Sequence, residues 1–276
     1  MHPDPFLLAK SAGLDLPAQR LKSLLENSSP LVVAYSGGVD SSLLLAIAHH
    51  TLQANCLGVI ADSPSLPRQA LQAALKLAKN LHAKVEILQT NEFKDPRYTS
   101  NPINRCYFCK AELFQRLNSL ARNRGFRAIA YGENADDPPS ERPGSRAARE
   151  FSILAPLREA NLGKASIRKW ASLIGLPNSS APAQPCLSSR IPHGVPVTRE
   201  AVALVERAEA ALSNLGFKIL RVRYHPGPEP RALVQFGPAE LEYALSHHAD
   251  VIHAVRSAGF SSVEIDPQGY RGAGLK

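Results

Sequence analysis

An apolar run, Val32-Val33-Ala34-Tyr35, ends in Ser36-Gly37-Gly38-Val39-Asp40-Ser41-Ser42 and passes at once into Leu43-Leu44-Leu45. This pattern is a strand, a tight glycine turn and the start of a helix. Gly37 and Gly38 accept backbone angles closed to other residues and let a ligand approach the main chain. The first N–H groups of the helix, with its dipole, favour an anion. Ser36, Ser41 and Ser42 add hydroxyl donors. Asp40 places a carboxylate where a bare phosphate would be repelled, so Mg2+ between the two is expected.

A Walker A loop needs a Lys-Ser/Thr pair after its second glycine, and this run holds no lysine. The run resembles the PP-loop, SGGxDS, of the ATP pyrophosphatases. That resemblance implies ATP, cleaved between its α and β phosphates, and transfer of AMP to an oxygen of the substrate. The plain alternative is a glycine turn in any α/β protein.

At 276 residues the chain suits one large or two modest domains. A net charge of +8 fits anionic partners such as nucleotides or RNA. Met1-His2-Pro3-Asp4-Pro5 lacks a signal-peptide pattern, and no apolar run approaches membrane-spanning length. A cytoplasmic protein with no membrane partner is expected. In that setting four cysteines point to metal, cluster or catalysis rather than disulfides.

Residues 1–15 are expected as a loose arm, and Pro17 to Glu26 as a helix carrying Leu21, Leu24 and Leu25 on one face. Strands are expected at Pro30 to Tyr35, Cys56 to Ala61, Lys84 to Leu88 and Ala128 to Tyr131, with a short fifth at Ile153 to Leu157. Helices at Asp40 to Thr51, Leu66 to His82, Asn104 to Arg124 and Ser166 to Gly175 alternate with them, and Gln89 to Arg105 is irregular. This alternation predicts a doubly wound parallel sheet, with ligands beyond the carboxyl ends of its strands. Ser36 and Ser63 both fall there. The loop Gly132-Glu133-Asn134-Ala135-Asp136-Asp137 follows the fourth strand. It suits a metal or a nucleotide cover, but taken alone it is a solvated loop. From residue 176 the chain turns rich in Pro and Ser. Thr198 then caps a helix to Leu215, strands follow at Phe217 to Tyr224 and Arg231 to Phe236, a helix at Glu240 to Ala258 is broken near Asp250, and a strand closes at Ser262 to Asp266. We therefore expect a PP-loop domain over 1–180 and a small α+β domain over 181–276.

Cys106 and Cys109 form a C-x2-C pair on one face at a helix start, where the dipole favours thiolates. Cys186 lies far off in sequence. Three cysteines suit three irons of a [4Fe–4S] cluster, leaving one iron open to an exogenous sulfide. A Cys3His Zn2+ site completed by His193 and a redox-active or merely buried pair are the alternatives. Cys56, inside a strand pattern, belongs to the core. Arg221 and Arg223 alternate on one strand and so share a face; with Arg190 they suit a phosphate or carboxylate, or else a solvated strand face. Glu209, on the preceding helix, is by pattern a surface residue.

Ser36-Gly-Gly-Val-Asp-Ser41, Gly132-x-Asn134-x-Asp136-Asp137, Arg142-Pro-Gly144, Pro185-Cys-Leu-Ser-Ser-Arg190 and Arg221-Val-Arg223 stand in the order seen in LarE-type sulfur transferases. The resemblance runs from about residue 17 to Gly269-Tyr270-Arg271-Gly272. It implies ATP-dependent adenylation of pyridinium-3,5-biscarboxylic acid mononucleotide and replacement of oxygen by sulfur, in nickel-pincer nucleotide biosynthesis. In one branch the position of Cys186 is a sacrificial cysteine that becomes dehydroalanine. In another, cysteines matching Cys106, Cys109 and Cys186 hold a [4Fe–4S] cluster carrying transferable sulfide, and the three cysteines place this chain there. The match also gives Arg221 and Arg223 a substrate phosphate or carboxylate and Glu209 a metal ion. His193 departs from a frequent tyrosine and keeps zinc open. The implied partners are a nucleotide substrate, sulfide or another sulfur donor, and further copies of the chain. A tRNA thiolase of the same superfamily would suit the charge, but no aromatic–basic interleaving supports nucleic acid as a partner. A non-catalytic nucleotide-binding protein with structural zinc is the third reading.

Overall fold

The computed structural model describes residues 3–137 and 143–270. In chain order the elements are α1 (Pro5–Ser11), α2 (Asp15–Asn27), β1 (Leu31–Ala34), α3 (Val39–Leu52), β2 (Cys56–Asp62), α4 (Arg68–Asn80) and β3 (Val85–Gln89). Then come α5 (Pro96–Thr99), α6 (Arg105–Arg124), β4 (Ala128–Tyr131), α7 (Pro143–Glu150), α8 (Pro156–Glu159) and α9 (Lys164–Leu173). The last are α10 (Arg199–Asn214), β5 (Leu220–His225), β6 (Arg231–Phe236), α11 (Pro238–Ser246), α12 (His248–Ser257) and β7 (Ser262–Ile265).

The chain divides into two compact units. The first holds residues 1–63, 68–92 and 104–184; the second holds 64–67, 93–103 and 185–276. The second is thus built from three pieces of chain, two of them contributed before residue 104.

The first unit carries a parallel sheet in the order β3-β2-β1-β4. Its inner strands β1 and β2, and β4, are mostly buried apolar runs because both faces are covered, whereas the edge strand β3 (Val85-Glu86-Ile87-Leu88-Gln89) is half-exposed. On one face Val32, Leu57 and Ile129 pack with Leu113, Phe114 and Leu117 of α6 and Ala147 and Ala148 of α7. On the other, α3 comes so close that a Cβ on Gly58 would lie 3.1 Å from the Leu45 side chain. The chain winds from β1 outward to β3, then returns to β4 on the far side of β1, so the strand order reverses between β1 and β4. Crevices that bind ligands open at such a point.

Two expectations fail here. Residues 5–11 are helix, not a loose arm: Asp4 caps α1 by accepting the Phe6 N–H at 2.8 Å, Pro5 takes the first helical turn, and Trp170 Nε1–H donates to the Pro5 carbonyl at 3.0 Å. The fifth strand shrinks to one parallel bridge, Ala130 to Leu154, because Pro156 opens α8 two residues later.

The second unit has a three-stranded sheet, β5-β6-β7, with β5–β6 antiparallel and β6–β7 parallel. The Thr198 hydroxyl caps α10, accepting the Ala201 N–H at 3.1 Å. The helix after β6, expected to break near Asp250, breaks three residues earlier, at His247, where α11 and α12 meet.

Candidate active site

The turn after β1 is held from within. Ser36 N–H donates to Ser41 Oγ at 3.2 Å, and the Ser41 hydroxyl donates to the Gly38 carbonyl at 3.0 Å. Gly37 has φ +77°, and a Cβ there would lie 2.7 Å from that of Ala74. Both backbone and space therefore demand glycine. Asn178 Nδ2 donates to the Gly37 carbonyl at 2.8 Å and to Ser42 Oγ at 2.9 Å, tying the turn from its other side.

Asp40, in the first turn of α3, meets Lys164 from the start of α9. The ammonium lies 2.7 and 2.8 Å from the two carboxylate oxygens, and Asn134 Nδ2 donates to one of them at 3.2 Å. The loop after β4 reaches this place because Gly132 has no side chain: a Cβ there would sit 2.7 Å from Ser41 N and 2.9 Å from its Cα. Glu133 and Asn134 are each only 5% exposed, which overturns the solvated-loop reading. Arg158 Nη1 lies 2.6 Å from Glu133 Oε2, and the Tyr131 and Ser145 hydroxyls also donate to Glu133. Burial first, and then the Glu133 carboxylate, push the Tyr131 phenol far above its ordinary range. Asp136 accepts the Lys164 N–H at 2.6 Å, fixing the start of α9. Arg142 lies outside the described residues.

Hard oxygen donors such as Asp40 suit Mg2+, which keeps waters and binds phosphate oxygens through its remaining positions. Lys164 supplies the positive charge at that carboxylate here. Ser63 directly follows β2, and its carbonyl accepts Arg68 Nη2–H at 2.8 Å. Ser36, Gly37, Gly38, Asp40, Ser41, Ser42, Ser63 and Gly132 all fall at the carboxyl ends of β1, β2 and β4.

At the start of α6, Cys106 is exposed and Cys109 half-buried, one helical turn apart. None of the four cysteines is in a disulfide, and Cys56 is core, its thiol pushed up to about 12 by burial. Three such thiols match iron–sulfur ligation in kind. Among the described residues no group of three or more His, Cys, Asp or Glu side chains is gathered to hold a metal ion.

In the second unit, Cys186 is exposed and opens a 3-10 turn, Leu187–Arg190. Arg190, only 3% exposed, points back beneath it: Nη1–H donates to the carbonyls of Pro185 at 2.6 Å and Cys186 at 3.0 Å. Its Nε and Nη2 grip both oxygens of Glu209 at 2.9 Å, a bidentate pair, and Glu209 Oε1 also accepts the Val222 N–H at 3.0 Å. Glu209 is therefore no surface residue. Arg223 donates to Gln235 Oε1 at 2.9 Å and the Ser189 carbonyl at 3.0 Å, while the Arg221 guanidinium lies 4.7 Å from the Tyr270 ring centroid. Burial, then the charge of Arg190, lowers the pKa of both Arg221 and Arg223. The solvated-strand reading fails for Arg221, which is 7% exposed. Three guanidiniums around one carboxylate leave a surplus of positive charge, which a phosphate or carboxylate would neutralise. His193 is exposed on the following loop.

A family model for NAD synthases matches residues 19–137, the stretch from α2 to the loop after β4. The chain is 32% identical over 252 residues to the pyridinium-3,5-bisthiocarboxylic acid mononucleotide synthase of Lactiplantibacillus plantarum, covering 91% of this chain and 90% of that one. The chain belongs to the LarE-type ATP-dependent sulfur transferases. An uncharacterized protein of Synechocystis is 36% identical over 95% of this chain and 97% of its own. Another, from Methanocaldococcus jannaschii, is 26% identical over 91% of this chain and 94% of its own. LarE-type proteins are enzymes built on a PP-loop domain, and the Ser36 to Ser42 turn at the sheet reversal is that loop in this chain. No described helix is long and apolar enough to cross a membrane.

Sequence reasoning missed Lys164, Asn134 as a partner of Asp40, and Asn178. Lys164 follows Gly163 at a helix start, and no local spacing links it to Asp40. Gly132 was legible from its place after a strand, and the structure supplies the reason for it.

Proposed function

We propose that this LarE-type chain adenylates a carboxylate of pyridinium-3,5-biscarboxylic acid mononucleotide with ATP and replaces its oxygen with sulfur. The observation that carries the reading is the PP-loop turn, with Asp40 in the first turn of α3, in a chain 32% identical to the named synthase. A carboxylate is a poor electrophile because oxide is its leaving group. Attack of its oxygen on the α phosphorus releases pyrophosphate and leaves an acyl adenylate. Sulfur then attacks the acyl carbon and expels AMP. Helix N–H groups and the serine hydroxyls would bind the phosphates, and Asp40 would hold Mg2+, which offsets the charge of the departing pyrophosphate. Arg190, Arg221 and Arg223 would hold the substrate's phosphate or second carboxylate. Glu209 would orient Arg190, with a metal ion there as the role drawn from the resemblance.

For sulfur delivery we favour Cys106, Cys109 and Cys186 as ligands of a [4Fe–4S] cluster. When bound, such a cluster supplies a transferable sulfide. The exposure of Cys186 gives the sacrificial route a footing as well: its thiolate would attack the acyl adenylate, and Cα–H and Cβ–S cleavage would then leave thiocarboxylate and dehydroalanine. The reading includes the cytoplasm, where free thiols persist, and, drawn from the resemblance, a homo-oligomer supplied with sulfide or another sulfur donor.

The test combines anaerobic iron and sulfide analysis with turnover. We expect AMP, pyrophosphate and thiocarboxylate to form. Cys186→Ala should abolish thiocarboxylate while keeping AMP formation, and Asp40→Ala should lower AMP formation. Thiocarboxylate at the wild-type rate from Cys186→Ala refutes the cysteine assignment. Loss of the elements of H2S from Cys186 after one turnover selects the sacrificial route. A colourless protein holding stoichiometric zinc refutes the cluster.

A further inference from the structure

The loop that carries Cys186 is held by residues that the proposed chemistry does not use. Ser188 is fully buried, and its hydroxyl lies 2.8 Å from that of Tyr98. The Tyr98 hydroxyl is also 2.8 Å from Ser65 Oγ, and Ser65 and Ser188 bond each other directly. Three buried hydroxyls thus close a ring. In such a ring each oxygen can donate one bond and accept another, and the bonds reinforce one another. The Ser65 carbonyl accepts the Leu187 N–H at 2.8 Å, one residue from the thiol.

A second fastening lies downstream. Asn101 is fully buried with φ +55°, a conformation asparagine tolerates better than most residues. Its Nδ2 donates to the carbonyls of Pro192 and Val195, both at 2.8 Å, and its own carbonyl accepts the Gly194 N–H at 3.0 Å. The Thr99 carbonyl accepts the Val197 N–H at 2.8 Å. The loop is therefore pinned at two places just after Cys186, while Arg190 binds the carbonyls of Pro185 and Cys186. Its exposed side chain stands on a fixed backbone.

We propose that Ser65, Tyr98 and Asn101 are positioning residues for the Cys186 thiol. They belong to the early segments 64–67 and 93–103, which group with the Cys186 loop in the second unit. The inference rests on the sulfur-delivering role given to Cys186 above. Sulfur transfer needs the reacting sulfur, either the Cys186 thiol or a sulfide on a cluster that Cys186 would help hold, within reach of the acyl carbon, and a misplacement of about 1 Å can cost about 100-fold in rate. Adenylation does not involve the thiol and should not share that loss.

The test uses the full chain with Tyr98→Phe, which removes one hydroxyl, and Asn101→Gly, which removes the side-chain donor at a backbone angle glycine accepts. Hydrogen exchange is read at the Leu187, Gly194 and Val197 amides, and AMP and thiocarboxylate formation are measured side by side. We expect exchange at those amides to quicken by about tenfold or more while α10 is unchanged. Thiocarboxylate formation should fall by about tenfold or more, with AMP formation within about twofold of wild type. Three results overturn the inference: unchanged exchange, faster exchange with wild-type sulfur transfer, or AMP formation falling in step with transfer. Cys186→Ala is run in parallel. Wild-type transfer by that variant refutes the role of Cys186 itself, whereas its loss there, with full transfer in Tyr98→Phe and Asn101→Gly, refutes only the positioning.

Discussion

The Lys164 ammonium bridges both carboxylate oxygens of Asp40, at 2.7 and 2.8 Å, across 124 positions of sequence. The pair is partly open to water, with side-chain exposures of 38% and 16%. Such a pair contributes about 1 kcal/mol or less to stability. Its position beside the PP-loop makes it matter more to the nucleotide than to the fold. Lys164→Met should leave the melting temperature almost unchanged. It should lower AMP formation by about tenfold or more, because one cation is lost where polyphosphate charge gathers. Calorimetry together with an AMP assay checks both halves.

Arg190 and Glu209 should behave in the opposite way. Both are largely shielded, and Glu209 Oε1 also serves the Val222 N–H. Breaking a buried pair from one side costs about 3–5 kcal/mol because the partner charge stays uncompensated. Glu209→Ala should therefore lose most of that in urea unfolding, the more so since Arg221 and Arg223 stand near Arg190. Joint replacement, Arg190→Met with Glu209→Leu, should recover part of it. A double-variant loss equal to the sum of the losses of Arg190→Met and Glu209→Leu made singly would show that the pair carries no coupling.

The thiols should separate by exposure. Cys56 is 2% exposed, and burial pushes its thiol up to about 12, so it is protonated and shielded at neutral pH. With any bound metal removed, a disulfide reagent should titrate Cys106, Cys109 and Cys186 in the native protein and Cys56 only after denaturation. Rapid reaction of a fourth thiol in the native state would contradict this packing.

His49 gives the fold an acid-sensitive point. Burial lowers its pKa, and His50 and His82 lower it further; its Nδ1 is buried without a hydrogen-bond partner. The folded state therefore keeps this imidazole neutral, whereas the unfolded chain protonates it near pH 6.5. Below that pH the unfolded state binds more protons, so stability falls as pH drops, until the folded imidazole titrates in turn. His49→Gln should flatten the change in melting temperature between pH 7.5 and pH 5.5 relative to wild type. Parallel curves for the two proteins would refute this assignment.

The parallel sheet was legible because β1, β2 and β4 are short apolar runs ending in a polar or glycine turn, as at Ala34 and Tyr131, and β3 follows a helical pattern and alternates apolar and polar residues over Val85-Glu86-Ile87. The N-terminal helix was not, since α1 depends on Trp170 and a single Asp4 cap rather than on a long apolar stripe. Ile153 to Leu157 looked like a strand because apolar composition does not record that Pro156 turns the chain. The phosphate turn and the arginine pair were visible as local patterns. Lys164, Asn178, Tyr98 and Asn101 were not, because each acts on a partner between 90 and 141 positions away.

The threefold make-up of the second unit sets a limit on modular reuse of this protein. A C-terminal fragment begun at Pro185 would leave Ser188 and the carbonyls of Pro192 and Val195 without Tyr98, Ser65 and Asn101. Grafting the second unit onto another scaffold would therefore require transplanting two short inserts along with it, each in its own place between strands of the host.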